Sequence, residues 1–171
     1  MIYACLALFF LLIVAGDQLS KYLVVKSIPL GGIRRFLPGL LHWTHVRNDG
    51  MSFSLLSGAR WFFVVVTLLV MALCIYLIWK KLITHPLGLF SIAAVMGGAV
   101  GNLIDRIRLG YVVDMIEVEF IRFAVFNVAD IFVVCGGILL AVYGIFIWKD
   151  PKDLEKKQTA KPEEDTHETD S

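Results

Sequence analysis

The sequence predicts an all-α polytopic membrane protein, with four transmembrane helices and a small extracytoplasmic β-sheet at the membrane surface. Three observations carry this expectation. Apolar residues make up 58% of the 171-residue chain and Asp, Glu, Lys and Arg only 18%, whereas soluble domains carry about a quarter charged residues. Four long runs are almost free of charge, as a bilayer's hydrocarbon core demands of a spanning helix. Two shorter runs, LLHWTHV and YVVDMIEVEF, are rich in strand-forming residues and fall between those helices.

The first helix begins at Ile2, and its apolar run IYACLALFFLLIVA reaches Ala15. Helix-compatible DQLSKYLVV follows, so a span over about 2–25 crosses a core of roughly 30 Å. No basic residue precedes the run and no small-x-small cleavage site follows it, so it is expected to stay as a membrane helix rather than leave as a signal peptide. The second helix is expected over 61–79, with Trp61 and Trp79 at the two interfaces and only Thr67 polar between them. The third is expected over 86–104, with Pro86 in the first turn, where its missing N–H costs nothing. The fourth is expected over 129–148 and ends on Trp148. The join at Lys80–His85 is short, whereas residues 28–60 form a long Gly-, Pro- and aromatic-rich connection. Residues 150–171 hold eight acids and four lysines with no aromatics, and are expected to be a disordered charged tail.

Four spans place both termini on one side. Lys80 and Lys81, with Lys149, Lys152, Lys156 and Lys157 at the start of the tail, favour a cytoplasmic location for that side. The other side holds nine Lys or Arg residues, six between Lys21 and Arg60 and three between Arg106 and Arg122, so the raw count opposes this topology. The basic residues form no dense stripe, so no nucleic-acid partner is expected. Cys5, Cys74 and Cys135 are scattered through apolar runs and read as buried packing thiols, not as a disulfide or zinc pattern. His42, His45, His85 and His167 have no ligand-like spacing, and no carboxylate or thiol partner is evident for His42 and His45. No metal or organic cofactor is expected. A phosphate loop, an HExxH and a GxSxG elbow are all missing, and nothing places Ser20, Ser52 or Ser54 in a strained position or ties one to Lys21 as a base.

The polar residues inside this apolar chain need reasons. In SIAAVMGGAVGNLIDR, Gly97, Gly98 and Gly101 make a groove where another backbone can come close. Asn102 and Arg106 lie four apart on one helix face. Arg106 either snorkels to the interface or organises a polar site with Asn102, and Asp105 points elsewhere in a supporting role. On a strand, Asp114 shares a face with Val112, Ile116 and Val118 while Glu117 and Glu119 take the other, which makes Asp114 a lone acid among apolar neighbours. Asn127 suits the cap of the fourth helix, with Asp130 in its first turn, where the helix dipole favours negative charge. Asp17 and Lys21 form an i,i+4 pair able to neutralise itself. Asn48, Asp49 and Gly50 signal a turn, in which Asn48 can grip loop backbone. Ionisable groups near hydrocarbon are costly and are functional suspects. If Asp114 and Asp130 converge, repulsion leaves one proton on the pair, one carboxylate takes a proton from water, and the other acid donates to a carbonyl oxygen. A proton relay through Asp17, Asp114 and Asp130, and a non-catalytic scaffold, compete with this peptidase reading.

Taken together, DQLSK, RNDGMSFSLL, GGAVGNLIDRIRLGYVVDMIEV and FNVADIFVVCG resemble, in order, the motifs of the bacterial lipoprotein signal peptidases, or signal peptidase II. The resemblance runs from about Asp17 to Trp148. It implies a single membrane-embedded peptidase domain over 1–149, in the bacterial inner membrane with both termini cytoplasmic and the active site near the extracytoplasmic face. The catalytic aspartates fall on Asp114 and Asp130. Supporting positions fall on Asp17, Asn48, Asn102, Arg106 and Asn127, with Lys21, Gly50 and Phe53 in the same motifs. The implied substrates are diacylglyceryl-modified prolipoproteins, cut just before the lipid-bearing cysteine. Membrane lipid is the only other partner implied, with no obligate protein partner. An extended substrate is expected to borrow hydrogen bonds from a strand edge near Asp114.

Overall fold

The computed structural model describes residues 1–50 and 58–148. The expectations for Ser52, Phe53, Ser54, Lys149 and the charged tail lie outside these residues. Four helices and three strands follow in the order α1 (Ile2–Ser27), β1 (Ile33–Leu37), β2 (Leu41–Asn48), α2 (Arg60–Trp79), α3 (Pro86–Arg108), β3 (Val112–Val118) and α4 (Val128–Phe146). All four helices are long and apolar enough to cross a membrane. Large apolar side chains such as Leu11 and Leu12 of α1, Leu69 and Leu73 of α2, and Ile138 of α4 face outward, as lipid-facing residues do. Cys74 is buried, but Cys5 and Cys135 are exposed, which corrects the expectation of three buried thiols. All three are free.

Helix α3 is the hub. In its apolar stretch 56% of the residues are buried, against 17% in each of the other three. Small residues allow this. A Cβ on Gly97 would press on Ile13 of α1, and one on Gly98 would run into the Ala129 carbonyl oxygen of α4. The backbone of α4 answers with Gly136, which sits against the Ser91 carbonyl and Ala94. Pro86 opens α3 as expected, and His85 caps it by accepting from the Leu87 N–H at 3.2 Å. The helix continues one turn past the expected end at 104, so Asp105 and Arg106 are helical. Arg60, at the start of α2, donates from Nη2 to the Ile107 carbonyl at 2.6 Å and ties α2 to the end of α3.

The sheet is antiparallel in the order β1-β2-β3. Strands β2 and β3 were expected; β1 was not. Its IRRFL sequence is exposed at every position, so it carries no alternating burial signal, and it exists through pairing with β2. In β3 the alternation expected of a surface strand gives way to burial on both faces from Val112 to Met115. Val113 and Met115 pack on Val24 of α1 and on Ile28 just past its end, with Trp43 beside them. Asp114 therefore leaves the strand on the side away from that apolar cluster. That apolar face, the His45 Nδ1–Ile28 carbonyl contact at 2.9 Å and the Val113 N–H bond to Asp105 of α3 hold the sheet to the helices, and its register pairs Asp114 with Val46.

Gly98→Ala is expected to lower the thermal unfolding midpoint in detergent by several degrees, since overpacking a helix contact costs about 1–3 kcal/mol. Gly137→Ala on α4, where an added Cβ meets nothing within 4 Å, should hold or raise the midpoint, since alanine favours a helix over glycine by up to about 1 kcal/mol.

Candidate active site

The site grows from a buried ammonium. Lys21 is 3% exposed and Asp17, one turn earlier on α1, is fully buried. Lys21 Nζ stands 2.9 Å from Asp17 Oδ2 and 3.0 Å from Asp105 Oδ2. It also donates to Asn102 Oδ1 at 2.9 Å. The expected i,i+4 pair is thus half of a larger cluster that joins α1 to α3. Asp17 Oδ1 accepts the Ala129 N–H of α4 at 3.0 Å, and Asp105 Oδ2 accepts the Val113 N–H of β3 at 3.1 Å. Gln18 Nε2 lies 3.1 Å from both the Gly101 carbonyl and Asp105 Oδ1. Sequence reasoning gave Gln18 a motif position but no role, because its partners on α3 are more than 80 residues away.

Asn102 carries this order outward. Its Oδ1 accepts from Lys21 and from Asn127 Nδ2, so its Nδ2 is turned toward Asp130 and donates to Oδ1 at 2.8 Å. Asn127 is the expected cap of α4. Its Oδ1 accepts the Asp130 N–H at 3.0 Å, and Asp130 Oδ2 accepts the Asn127 N–H at 3.2 Å, a reciprocal capping box. The same Asn127 donates from Nδ2 to Asp114 Oδ1 at 2.6 Å. Asn48 donates to Asp114 Oδ2 at 2.8 Å while its own Oδ1 accepts the N–H of buried Gly50 at 3.1 Å. A continuous chain Asp114–Asn127–Asn102–Asp130 therefore joins two carboxyl groups from different elements, each oxygen of which accepts one N–H donor.

Arg106 stands apart from this chain. It is half-buried, its guanidinium lies 5.0 Å over the Phe63 ring, and that guanidinium donates no hydrogen bond to a described residue. It faces Asp130, Asp114 and Asp105 through electrostatics alone. Ser20 gives its hydroxyl proton to the Asp17 carbonyl at 2.7 Å, so it is not linked to Lys21 as a nucleophile would be. Two expectations are corrected. His42 does have a carboxylate partner, Glu117 Oε2 at 2.9 Å, because β2–β3 register sets them opposite each other. The strand edge near Asp114 is also less available than expected. The Val113 N–H is taken by Asp105, and the Met115 and Ile116 N–H groups by the Phe126 carbonyl.

Comparison with known proteins decides the family. Residues 9–146 match the family model described as signal peptidase (SPase) II. The chain belongs to the signal peptidase II family. It is 47% identical over 145 residues to a lipoprotein signal peptidase of Enterococcus faecalis, covering 83% of this chain and 88% of that protein. A lipoprotein signal peptidase of Streptococcus pyogenes serotype M5 is 44% identical over 144 residues, 82% of this chain and 90% of its own. Two solved bacterial membrane enzymes, determined by the in meso method at 1.9 and 2.3 Å resolution, superpose with a TM-score of 0.78 at 29% and 28% identity. They cover 84% and 96% of this chain, and the matches take in 94% and 95% of theirs. The chain is thus a multi-pass membrane protease of the signal peptidase II family.

Within this peptidase the Asp114 carboxyl is pushed up to about 6. Burial is the main cause and the nearby Asp130 charge adds to it; hydrogen bonds from Asn48 and Asn127, and the Lys21 charge, pull the other way. The folded chain thus holds a proton that the unfolded chain releases near pH 4, and this group's contribution to stability falls as pH rises from about 4 through about 6. Difference infrared spectroscopy of the carboxyl band should show Asp114 titrating near pH 6. In Asp130→Asn its midpoint should fall yet stay above the ordinary aspartate value, because burial remains. An unchanged midpoint in that variant would mean that the two carboxyls do not sense each other.

Proposed function

We propose that this protein is an aspartic endopeptidase that removes the signal peptide from diacylglyceryl-modified prolipoproteins, cutting just before the lipidated cysteine. The observation that carries the reading is the bridge Asp114–Asn127–Asn102–Asp130, which sets two carboxyl groups at the sheet end of the helices. Asp130 takes a proton from a water molecule as it attacks the scissile carbonyl. Asp114 donates its proton to the carbonyl oxygen, and substrate seating, by excluding water, raises its hold on that proton. The tetrahedral intermediate then collapses, with a proton passed to the leaving amine. Asn48, Gly50 and Asn127 hold Asp114; Asn102 and Asn127 hold Asp130; Asp17, Lys21 and Asp105 hold the asparagines and helices in place. Arg106 supplies a positive field over the acids without a direct hydrogen bond. The mechanism uses no metal, and among the described residues no group of three His, Cys, Asp or Glu is arranged to hold one.

The substrate's signal segment is itself a membrane helix, so it meets this site from within the bilayer. We place the protein in the bacterial inner membrane, with residues 1–149 as one peptidase domain, both termini cytoplasmic and the acids near the extracytoplasmic face. Three of the nine basic residues on the sheet side are spent locally: Lys21 is neutralised by Asp17 and Asp105, Arg60 is tied to the end of α3, and Arg106 faces the acids. Lys26, Arg34, Arg35, Arg47, Arg108 and Arg122 stay on that side against Lys80 and Lys81 at the opposite helix ends, so the orientation is proposed from the family relationship and not from the charge count.

Purified protein in detergent, given a diacylglyceryl-modified precursor peptide, should release a product whose mass shows cleavage just before the modified cysteine. Asp114→Asn and Asp130→Asn should each lower turnover by at least about 1,000-fold. Asp114→Asn should stay folded at pH 8 with its midpoint lowered by no more than several degrees, since it removes a buried group that resists ionisation but turns an amide N–H toward the donor of Asn48 or Asn127. Near-normal turnover in either variant would remove that residue from the mechanism, and equal losses of folding and activity would return the acids to a structural role.

A further inference from the structure

We propose that the cavity between the end of α1 and the sheet binds an anionic phospholipid of the surrounding leaflet, at a site separate from the carboxyl pair. The cavity has a volume of about 400 Å³, enough for a lipid headgroup with the first part of an acyl chain. One part of its lining is basic and polar: Arg34 of β1, on the same sheet face as its partner Trp43, with the Ser20 and Ser27 hydroxyls on α1; Arg35 also borders the cavity, but strand alternation sends its side chain to the His42 face. Neither guanidinium is ion-paired with a described residue. The other part is apolar, formed by Leu23, Phe36, Trp43 and Met115.

Its position suits a lipid. The cavity flanks the last turns of a membrane-crossing helix, and the adjoining Leu19, Tyr22, Leu23 and Val25 are exposed. A chain lying along these side chains runs into the apolar half of the cavity, while its phosphate reaches Arg34 at interfacial depth. A guanidinium with no ion-pair partner among the described residues, beside an apolar wall, fits a phosphodiester with acyl chains. The neutral diacylglyceryl thioether of a substrate brings no charge to meet it. The site is also on the other side of the sheet from catalysis. Met115 lines the cavity, whereas its neighbour Asp114 projects from the opposite face of β3 toward Asn127. A lipid here braces the strand that carries Asp114 without touching the reacting atoms.

The test is native mass spectrometry of the full chain in neutral detergent, titrated with phosphatidylglycerol or phosphatidylcholine of matched chains. Phosphatidylglycerol should bind more tightly by on the order of fivefold at low salt, the contribution expected of one interfacial arginine. Arg34→Gln/Arg35→Gln, changed at exposed positions, should abolish that preference while leaving the fold intact. Leu23→Trp, which fills the cavity without altering charge, should weaken binding of both lipids. Glycerol phosphate should fail to displace the lipid; displacement would show a site for a soluble phosphate instead. Equal affinity for the two lipids, or a preference that survives the double substitution, would overturn the proposal. The readout is binding, so failure here leaves the peptidase assignment untouched, and loss of peptidase activity in another variant says nothing about this cavity.

Discussion

Everything in this fold leans on the neutralisation of one ammonium group. Lys21 has almost no contact with solvent, on a helix that crosses the bilayer, and an unpaired charge there is expensive. Asp17, Asp105 and Asn102 surround it within 3.0 Å. Those three partners come from two helices, so meeting the electrostatic demand also fixes how α1 lies on α3. Gly101 lets this happen: a Cβ there would collide with the Asp17 carboxyl. Small residues and buried charge thus belong to one arrangement, in which the glycines permit the approach and the ions set its register.

The order passes outward by hydrogen bonds of fixed polarity. Because Asn102 Oδ1 faces an ammonium, its amide nitrogen must face the other way, toward Asp130. Because Asn127 Oδ1 caps α4, its nitrogen is free to reach Asp114 and Asn102. A helix cap and a carboxyl-positioning group are one side chain. Asp130 has two roles in the same way, as the acid of a capping box and as half of the proposed dyad. The cap and functional readings of Asn127 and Asp130 therefore describe a single geometry rather than alternatives.

Much of this was legible in the sequence, for physical reasons. Four apolar runs have one stable outcome in lipid, and their helices appear within a few residues of expectation. Asp114 was conspicuous because a lone acid in an apolar strand has few bland explanations. What stayed hidden was set by partners distant in the chain. β1 carries no burial alternation and is defined by its neighbour β2. The His42–Glu117 contact depends on sheet register, which a bulge between Trp43 and Val46 shifts. Gln18 gains its role from Gly101 and Asp105, and Arg106 takes a place over Phe63 that a shared helix face with Asn102 did not foretell. The blocked N–H groups of β3 were invisible for the same reason, since Phe126 returns to cover them only in three dimensions.

In the proposed mechanism Asp114 and Asp130 jointly hold the tetrahedral centre of peptide hydrolysis. The most direct measurement is the affinity of a precursor peptide whose scissile bond is replaced by a hydroxyl-bearing, non-cleavable isostere. Wild type should bind it at least about 100-fold more tightly than the matched amide peptide, as a transition-state mimic requires, and either Asp→Asn change should erase most of that gain. If the isostere bound no better than the amide, or bound both variants as tightly as wild type, the carboxyl pair would not be where the bond is broken.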